Sequence, residues 1–422
     1  MQGKIGKAVG TIAVIGTLNN YGSEIIRLKK SVEKKGFRSL LIDISMGGKP
    51  SVPADVSCDE IALCGGADIE RVRASKNRTE ITGIMTEGLL KKVTELYKMG
   101  AFDGIIAVGG ATTALIACKA IQALPFGLAK IIVSSSADFS NIRSQIFGNS
   151  DLMVMHAPVD PIGDNYFVIN MLERAAGAIC GMTGSYLEEN LEINVAEVSR
   201  SCIAMVTFGY SDNCANTVKR MLEKAGFQVV VFHAQGLGDR ALDTLIDQNV
   251  RFKAIVDLAP AGASEELFGG ARAAGGRRLE AASEKGIPQI CTPSGLNFIA
   301  VGPLSAIKKK YRKRIIKVVD QPRTQIKMTV PELIKVARTV AHKLAKGTGI
   351  ARFVFPLKGW SSLEAPDDPF YNPETDRLFI ERFKKLTRKS KTIEIEEIDA
   401  HINDELLARK IFDTVMEVVR GG

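Results

Sequence analysis

Three short turns rich in small and hydroxyl-bearing residues carry the clearest chemical signal in this sequence. They are Thr17–Asn19, Gly109–Thr113 and Ser134–Ser136, and each follows a run of β-branched residues. Small residues let main-chain N–H groups approach an anion, and the N-terminus of a following helix favours negative charge. We therefore expect phosphate or carboxylate binding, with ordinary turn and helix-cap chemistry as the alternative. The residues expected to hold phosphate are Thr17, Asn19, Gly109, Gly110, Thr112, Thr113, Ser134, Ser135 and Ser136.

No strong mononucleotide signature accompanies these turns. The pattern G-x-x-x-x-G-K-[ST] does not occur, and the pair Gly109-Gly110 lacks the spacing G-x-G-x-x-G. The histidines lack the close spacing that is typical of zinc ligands, so no metal-ligating side chain is assigned. The turns by themselves indicate an anion site without identifying its ligand.

A histidine and an arginine indicate a different chemistry. His233 closes a strand that we expect to be buried, and the glycine-rich turn after it contains Arg240. In an enzyme acting on a small acidic or sugar-like metabolite, His233 would be the acid–base group and Arg240 would hold the anion. The alternative is a histidine that is simply hydrogen-bonded at a strand end. The sequence leaves open whether the protein is an enzyme.

The net charge of +9 is concentrated in two segments. Seven basic residues lie in Lys308–Lys317 and five in Lys384–Lys391, and neither segment contains an acidic residue. The first segment has one aromatic residue and no accompanying helix-turn-helix pattern. We therefore expect a solvated basic surface and no specific nucleic-acid binding.

Composition and apolar patterning predict where the protein acts. The 422 residues, 45% hydrophobic and 24% charged, are typical of a globular protein of two or three domains and exclude a disordered or collagenous chain. Seven cysteines without a C-x-x-C pair favour a reducing compartment. The apolar run Ala8–Leu18 is interpreted as a first strand and not as a signal peptide. The uncharged apolar stretch Gly104–Cys118 has 15 residues and is too short to span a bilayer, so we expect a cytoplasmic protein.

The turns must be positioned by the strands and helices around them. Short apolar runs alternate with helical patterns, which is typical of strands buried on both faces of a parallel sheet. The expected fold is therefore α/β, with two Rossmann-like subdomains whose parallel sheets are flanked by helices. The expected strands are Thr11–Thr17, Arg38–Ile44, Gly104–Val108, Lys130–Ser134, Cys202–Phe208, Gln228–His233, Lys253–Leu258, Ile287–Cys291, Arg314–Val319 and Ala351–Leu357.

An internal repeat suggests where the chain divides. The segment Glu33–Phe37 closes a helix and opens a strand, and Glu223–Phe227 does the same 190 residues later. We place the boundary in Tyr186–Ser201, which gives a nucleotide-binding N-terminal subdomain at 1–199 and a C-terminal subdomain at 200–422. The C-terminal part is expected to add a helix at Pro331–Lys346, a long loop at Lys358–Asp376 and a final helix from about Asn403.

Several motifs, taken together and in order, resemble a known family over nearly the whole chain. The family is the tomato mosaic virus resistance protein-like ATP-binding domain family, long described as an uncharacterised protein family. The motifs are Val14–Leu18, Asp103–Gly110, Val231–Ala234 with Gly236–Gly238, Phe355–Gly359 with Glu364–Pro366, and Asp399–Asp404.

The resemblance implies a homodimer of two-subdomain chains, with ATP bound by the loops of the N-terminal subdomain. The plant member of the family binds and inhibits a viral replication protein, so an interaction module with a structural nucleotide is a further alternative. Mg²⁺ is an expected companion of ATP, because it needs few protein ligands besides the phosphates. We expect a cytoplasmic nucleotide-binding protein whose ligand lies in strand-end loops near the interdomain cleft, without a membrane or specific nucleic-acid partner.

Overall fold

The computed structural model describes residues 10–140, 142–189, 193 and 195–421. These residues divide into two compact units, with the division after residue 193. Within the expected boundary segment Tyr186–Ser201, residues 190–192 and 194 lie outside the described residues. Residues 8 and 9, at the start of the first expected apolar run, also lie outside them.

The first unit is a five-stranded parallel sheet with helices on both faces. Its strands are β1 (Thr11–Gly16), β2 (Arg38–Asp43), β3 (Gly104–Gly109), β4 (Ala129–Ser134) and β5 (Met153–His156), in the order β2-β1-β3-β4-β5. Its helices are α1 (Leu18–Lys34), α2 (Cys58–Cys64), α3 (Ile69–Ala74), α4 (Arg78–Lys98), α5 (Ala111–Gln122), α6 (Arg143–Phe147) and α7 (Tyr166–Glu188). Strands β1, β3 and β4 are buried along their whole length, because α1 and α7 cover one face and α2 to α5 the other. The order reverses between β1 and β3, where ligands of open parallel sheets commonly bind.

The second unit has a six-stranded parallel sheet and a small antiparallel one. Its strands are β6 (Cys202–Thr207), β7 (Gln228–His233), β8 (Ala254–Asp257), β9 (Gln289–Cys291), β10 (Phe298–Val301), β11 (Ile316–Asp320), β12 (Arg323–Lys327), β13 (Ala351–Pro356) and β14 (Ile393–Ile398). The parallel order is β14-β13-β9-β8-β6-β7, and the antiparallel order is β10-β12-β11. Its helices are α8 (Val195–Ser201), α9 (Asp212–Lys224), α10 (Leu237–Asp247), α11 (Ala261–Glu266), α12 (Glu280–Glu284), α13 (Val330–Leu344), α14 (Pro373–Thr387) and α15 (Glu405–Gly421).

The predicted α/β fold with parallel sheets flanked by helices is confirmed. Both parallel sheets also place their first four strands in the same order, as the repeat in the sequence suggests. One prediction is wrong in its setting: the segment Arg314–Val319 contributes to the antiparallel strand β11 and not to the parallel sheet. The predicted loop Lys358–Asp376 is also too long, because Pro373 begins α14 with Asn372 as its cap.

A buried ion network ties α10 to the parallel sheet of the second unit. Arg278 is 2% exposed, and its Nε donates to Asp239 Oδ1 at 2.8 Å. Its Nη2 lies 2.5 Å from Asp257 Oδ2, at the end of β8. Asp239 also accepts the Gly236 N–H and so caps α10. The guanidinium therefore neutralises carboxylates that would be costly to bury alone.

Burial gives this network an unusual pH dependence. Desolvation raises the pKa of Asp243, on α10, to about 7, although the positive charge of Arg278 acts against the shift. A carboxyl group with a raised folded-state pKa contributes stability below its unfolded pKa and loses that contribution as the pH rises through the folded value. We expect the free energy of unfolding to fall between pH 6 and 8, with this one group contributing about 1.4 kcal/mol.

Urea unfolding of the wild type and of Asp243→Asn at pH 6, 7 and 8 measures this contribution. The variant should show a flatter pH dependence, since an amide does not titrate. Equal slopes in the two proteins would contradict the assignment to Asp243.

Candidate functional site

Buried side-chain oxygens without partners mark the end of β1. Thr17 is 6% exposed and precedes α1, and its Oγ1 has no hydrogen-bond partner among the described residues. The Oδ1 of the half-buried Asn19 also has no hydrogen-bond partner among the described residues. Buried polar atoms are almost always hydrogen-bonded, so two orphans in one turn point to an additional partner there.

The main-chain N–H groups of that turn are already occupied. Leu18 N donates to Asp43 Oδ1 and Asn19 N to Ser45 Oγ, both at 3.0 Å. Asp43 and Ser45 come from the end of β2 and are fully buried. The N-terminus of α1 therefore has its anion supplied by the protein, and the turn offers a ligand only the side chains of Thr17 and Asn19.

The N-terminus of α5 is open by comparison. Gly110 is its N-cap residue, and no side chain of the described residues caps the helix. The first N–H groups of a helix lack intrahelical partners, so those of Ala111 and Thr112 can donate to a ligand. A Cβ atom built on Gly110 would have Tyr21 Oη at 3.3 Å and Ser135 Oγ at 3.9 Å as its nearest neighbours. N–H donors without intrahelical partners and a favourable helix dipole thus coincide at Gly110, where even a Cβ atom would fit tightly.

Two residues that the sequence-based selection missed complete this site. Tyr21 Oη donates to Asp160 Oδ1 at 3.3 Å, and Ser135 Oγ donates to the same oxygen at 3.0 Å. Burial, followed by the charge of Asp160, raises the pKa of Tyr21, so its hydroxyl stays protonated and keeps its hydrogen bond to Asp160. Tyr21 lies two residues after the predicted turn, whereas no local sequence signal marks Asp160.

Three other residues of the predicted set, Gly109, Thr113 and Ser134, are packed within the fold. A Cβ atom on Gly109 would lie 2.4 Å from Thr113 Oγ1, so Gly109 is small because α5 packs against it. Thr113 is 2% exposed. Ser134 is fully buried, and its Oγ accepts the Ser136 N–H at 3.2 Å. Contacts and strand register therefore bring together Thr17, Gly110 and Ser135, with Thr112 half-buried in the first turn of α5. The described contacts of Asn19 are instead with the segment after β2.

His233 and Arg240 lie in a different setting from the one predicted. The strand that His233 closes, β7, is at the edge of its sheet, and the His233 side chain is exposed. The expectation of a buried strand is wrong, because the order of strands in the sheet places β7 at the edge, where it pairs only with β6 among the described strands. Arg240 Nε donates to Gly236 O at 3.2 Å. The carboxylate of Asp239, in the same turn, is engaged by Arg278 and the Gly236 N–H.

The remaining sequence features have plain structural descriptions. Within the basic segment Lys308–Lys317, Arg314 forms two hydrogen bonds to Glu332, of 2.5 and 2.9 Å, and Lys317 pairs with Asp368. All seven cysteines are free thiols. In the part of the chain that the structure describes, no three His, Cys, Asp or Glu side chains are grouped to hold a metal ion. Over the same residues, no helix combines the length and apolar character needed to cross a membrane.

Comparison with known proteins covers both units. Residues 10–188 match the N-terminal domain, and residues 200–419 the C-terminal domain, of the Uncharacterised protein family (UPF0261). A UPF0261 protein of Clostridium tetani is 31% identical over 397 residues, which are 94% of this chain and 96% of that protein. The ToMV resistance protein Tm-1(GCR237) of Solanum lycopersicum is 29% identical over 335 residues, or 78% of this chain.

The match covers 44% of the tomato protein, so this chain corresponds to less than half of that relative. Among solved structures, the UDP-N-acetylglucosamine 2-epimerase of Rickettsia bellii aligns with 66% of this chain and 78% of its own, at 10% identity and a TM-score of 0.24. A likeness at that score carries no argument about function.

Proposed function

The chain belongs to the Uncharacterised protein family UPF0261, and from that premise we propose that it is a nucleotide-binding protein that holds the phosphates of ATP where β1 and β3 of the first unit end. One observation carries the proposal. The uncapped N-terminus of α5 lies at the reversal of strand order, and Thr17, whose Oγ1 has no partner among the described residues, follows the neighbouring strand β1. Such a position supplies N–H donors and a favourable dipole for a phosphate.

The charges around this position support a magnesium-bound nucleotide. The side chains named at the site carry hydroxyls, an amide and the carboxylate of Asp160, and none of them is basic. A bare triphosphate would therefore meet negative charge without a counter-cation. Mg²⁺ bound to the phosphates would supply that positive charge and needs few protein ligands. In this proposal, Asp160 would accept hydrogen bonds from the water molecules bound to that Mg²⁺.

Titration calorimetry with ATP, with and without Mg²⁺, tests the proposal directly. We expect saturable binding that is tighter with Mg²⁺, and much weaker binding of adenosine, which lacks phosphates. Failure of Mg-ATP to bind the folded protein at millimolar concentration would refute the site. Steady release of phosphate during the same incubation would indicate an enzyme, and stoichiometric retention would indicate a binding module. The homodimer stays a prediction. Native mass spectrometry of the purified protein measures its oligomeric state.

Replacing Asp160 separates the two roles of charge at the site. Without Mg²⁺, Asp160→Asn should bind ATP several-fold more tightly, because the substitution removes the repulsion between this carboxylate and the phosphates. For an exposed charge, that repulsion is about 1 kcal/mol or less. The enhancement of ATP affinity by Mg²⁺ should be smaller in the variant than in the wild type. Calorimetry at constant ionic strength measures both effects.

Asp164→Asn is the matched control for this variant. Asp164 is an exposed carboxylate of the same loop and pairs with Arg27 instead of Tyr21. It should leave both affinities unchanged. If Asp160→Asn behaves like this control, Asp160 does not face the nucleotide.

A further inference from the structure

A cavity lies in the second unit where β13 ends and α14 begins, and it shares no residue with the proposed nucleotide site. Its volume is about 500 Å³, within the range of small-molecule sites. Buried residues of its lining are Pro356 at the end of β13, Trp360 in the following loop, and Asp376 and Ile380 on α14. The buried part of the lining is therefore apolar except for one carboxylate.

That carboxylate is poorly satisfied by the protein. Asp376 is 5% exposed, and among the described residues its carboxylate accepts one side-chain hydrogen bond, from Asn297 Nδ2 to Oδ1 at 3.1 Å. The neighbouring Glu364 takes the stronger donors. Lys327 Nζ and Asn297 Nδ2 both donate to Glu364 Oε1 at 2.6 Å. The main-chain N–H of Trp360 donates to Glu364 Oε2 at 2.9 Å. Asp376 thus lines a cavity without a cation of its own.

The protonation of Asp376 reflects this shortage. Burial, followed by the negative charge of Glu364, raises the pKa of Asp376 to about 7, and the positive charge of Lys327 opposes the shift. A positive charge placed beside the carboxylate would lower that pKa and would satisfy the free acceptor capacity.

The outer part of the lining is also acidic on balance. Glu374, Glu381 and Glu397 lie around the cavity, against the basic residues Arg377 and Lys384. Lys384 is paired with Glu397, which leaves it less able to attract an anion. Together with Asp376, carboxylates outnumber bases by four to two, so a phosphorylated ligand is disfavoured here.

We propose that this cavity binds a small organic amine, with its ammonium group against the Asp376 carboxylate and its apolar body against Trp360 and Ile380. An ammonium group supplies the donors that the buried carboxylate lacks. A flat apolar body matches the indole and aliphatic side chains of the lining, and an indole also attracts a cation. Binding at this cavity does not depend on the proposed nucleotide function.

The chain contains a single tryptophan, so the intrinsic fluorescence of Trp360 reports on this cavity alone. The probes are benzylamine, the neutral benzyl alcohol and the anionic benzoate, which share one aromatic body. At pH 8 we expect a saturable fluorescence change with benzylamine, at least tenfold weaker binding of benzyl alcohol and no saturation with benzoate. Equal affinity for the amine and the alcohol, or no saturable response to the amine, would overturn the proposal.

Asp376→Asn is the test of the carboxylate. The amide oxygen can still accept from Asn297, and the repulsion from Glu364 is removed, so the variant is expected to fold. It should bind benzylamine at least tenfold more weakly and benzyl alcohol unchanged. Asp413→Asn, at an exposed position on α15 outside the cavity lining, is the control and should bind both as the wild type does.

A second variant tests the mouth of the cavity without touching its buried part. Leu378 is 44% exposed, so Leu378→Lys adds a positive charge there with little risk to folding. The added charge should weaken benzylamine binding. In the wild type, the affinity for benzylamine should rise from pH 6 to pH 8, because Asp376 ionises over this range beside Glu364 and Lys327. Wild-type benzylamine affinity in both Asp376→Asn and Leu378→Lys would place the amine elsewhere.

Discussion

Gly110→Asp should lose ATP binding by more than a hundredfold while the protein becomes slightly more stable. Gly110 is the N-cap residue of α5, with φ −83° and ψ −161°, a conformation open to any residue. Aspartate is a preferred N-cap residue and gains about 0.5 kcal/mol over glycine from the cap and the helix dipole. The same carboxylate would occupy the place proposed for a phosphate. Two like charges 4 Å apart repel by about 4 kcal/mol near a protein surface, or more than a hundredfold in affinity.

Calorimetry with Mg-ATP and thermal unfolding of the same sample measure these opposite effects. Gly110→Ala is the control, since it adds a Cβ atom without charge into space bounded by Tyr21 and Ser135. It should weaken ATP binding only a few-fold. A folded Gly110→Asp protein with unchanged ATP affinity would show that the nucleotide binds away from α5.

Arg278→Met should produce the largest loss of stability, about 3–5 kcal/mol, because it leaves Asp239 and Asp257 buried without their counter-charge. The neighbouring Arg277 provides a matched control. Its side chain is 44% exposed and pairs with Asp247 and Glu284 at the surface, so Arg277→Met should lose about 1 kcal/mol or less. Urea unfolding at pH 7.5 measures both.

Acidic pH should partly rescue the Arg278→Met protein. Burial already raises the pKa of Asp257 to about 6 with Arg278 present, and removing that arginine takes away the positive charge that opposes the shift. Protonation at pH 5.5 would then relieve much of the buried charge, so the loss should be smaller there than at pH 8. A loss that is the same at both pH values, or no larger than that of Arg277→Met, would mean that the carboxylates are satisfied without Arg278.

The alternation of apolar runs and helical patterns is sufficient to predict the parallel α/β fold. Runs such as those of β1 and β3 contain no charged residue, and they are stable as strands only where helices cover both faces. Strands that contain both apolar and polar residues are not predicted by this pattern. Strand β14 alternates isoleucine with glutamate, and β12 buries Thr324, Gln325 and Lys327, so neither reads as a buried strand. Helix α14 is different, because the sequence does signal it: Asn372 caps the helix, Pro373 begins it, and acidic residues lie in its first turn.

The sequence by itself determined which turns follow buried strands, and therefore that Thr17, Gly110 and Ser135 share one edge of a sheet. Only the tertiary structure decided what each turn can offer a ligand. Asp43, which arrives from β2, occupies the N-terminus of α1, and Asp160 meets Tyr21 across 139 residues of chain. Strand order, set by the crossover connections, creates these contacts, and local periodicity carries no information about them. The free donors at the end of β3 therefore follow from the fold, although the glycine that exposes them can be read from the sequence.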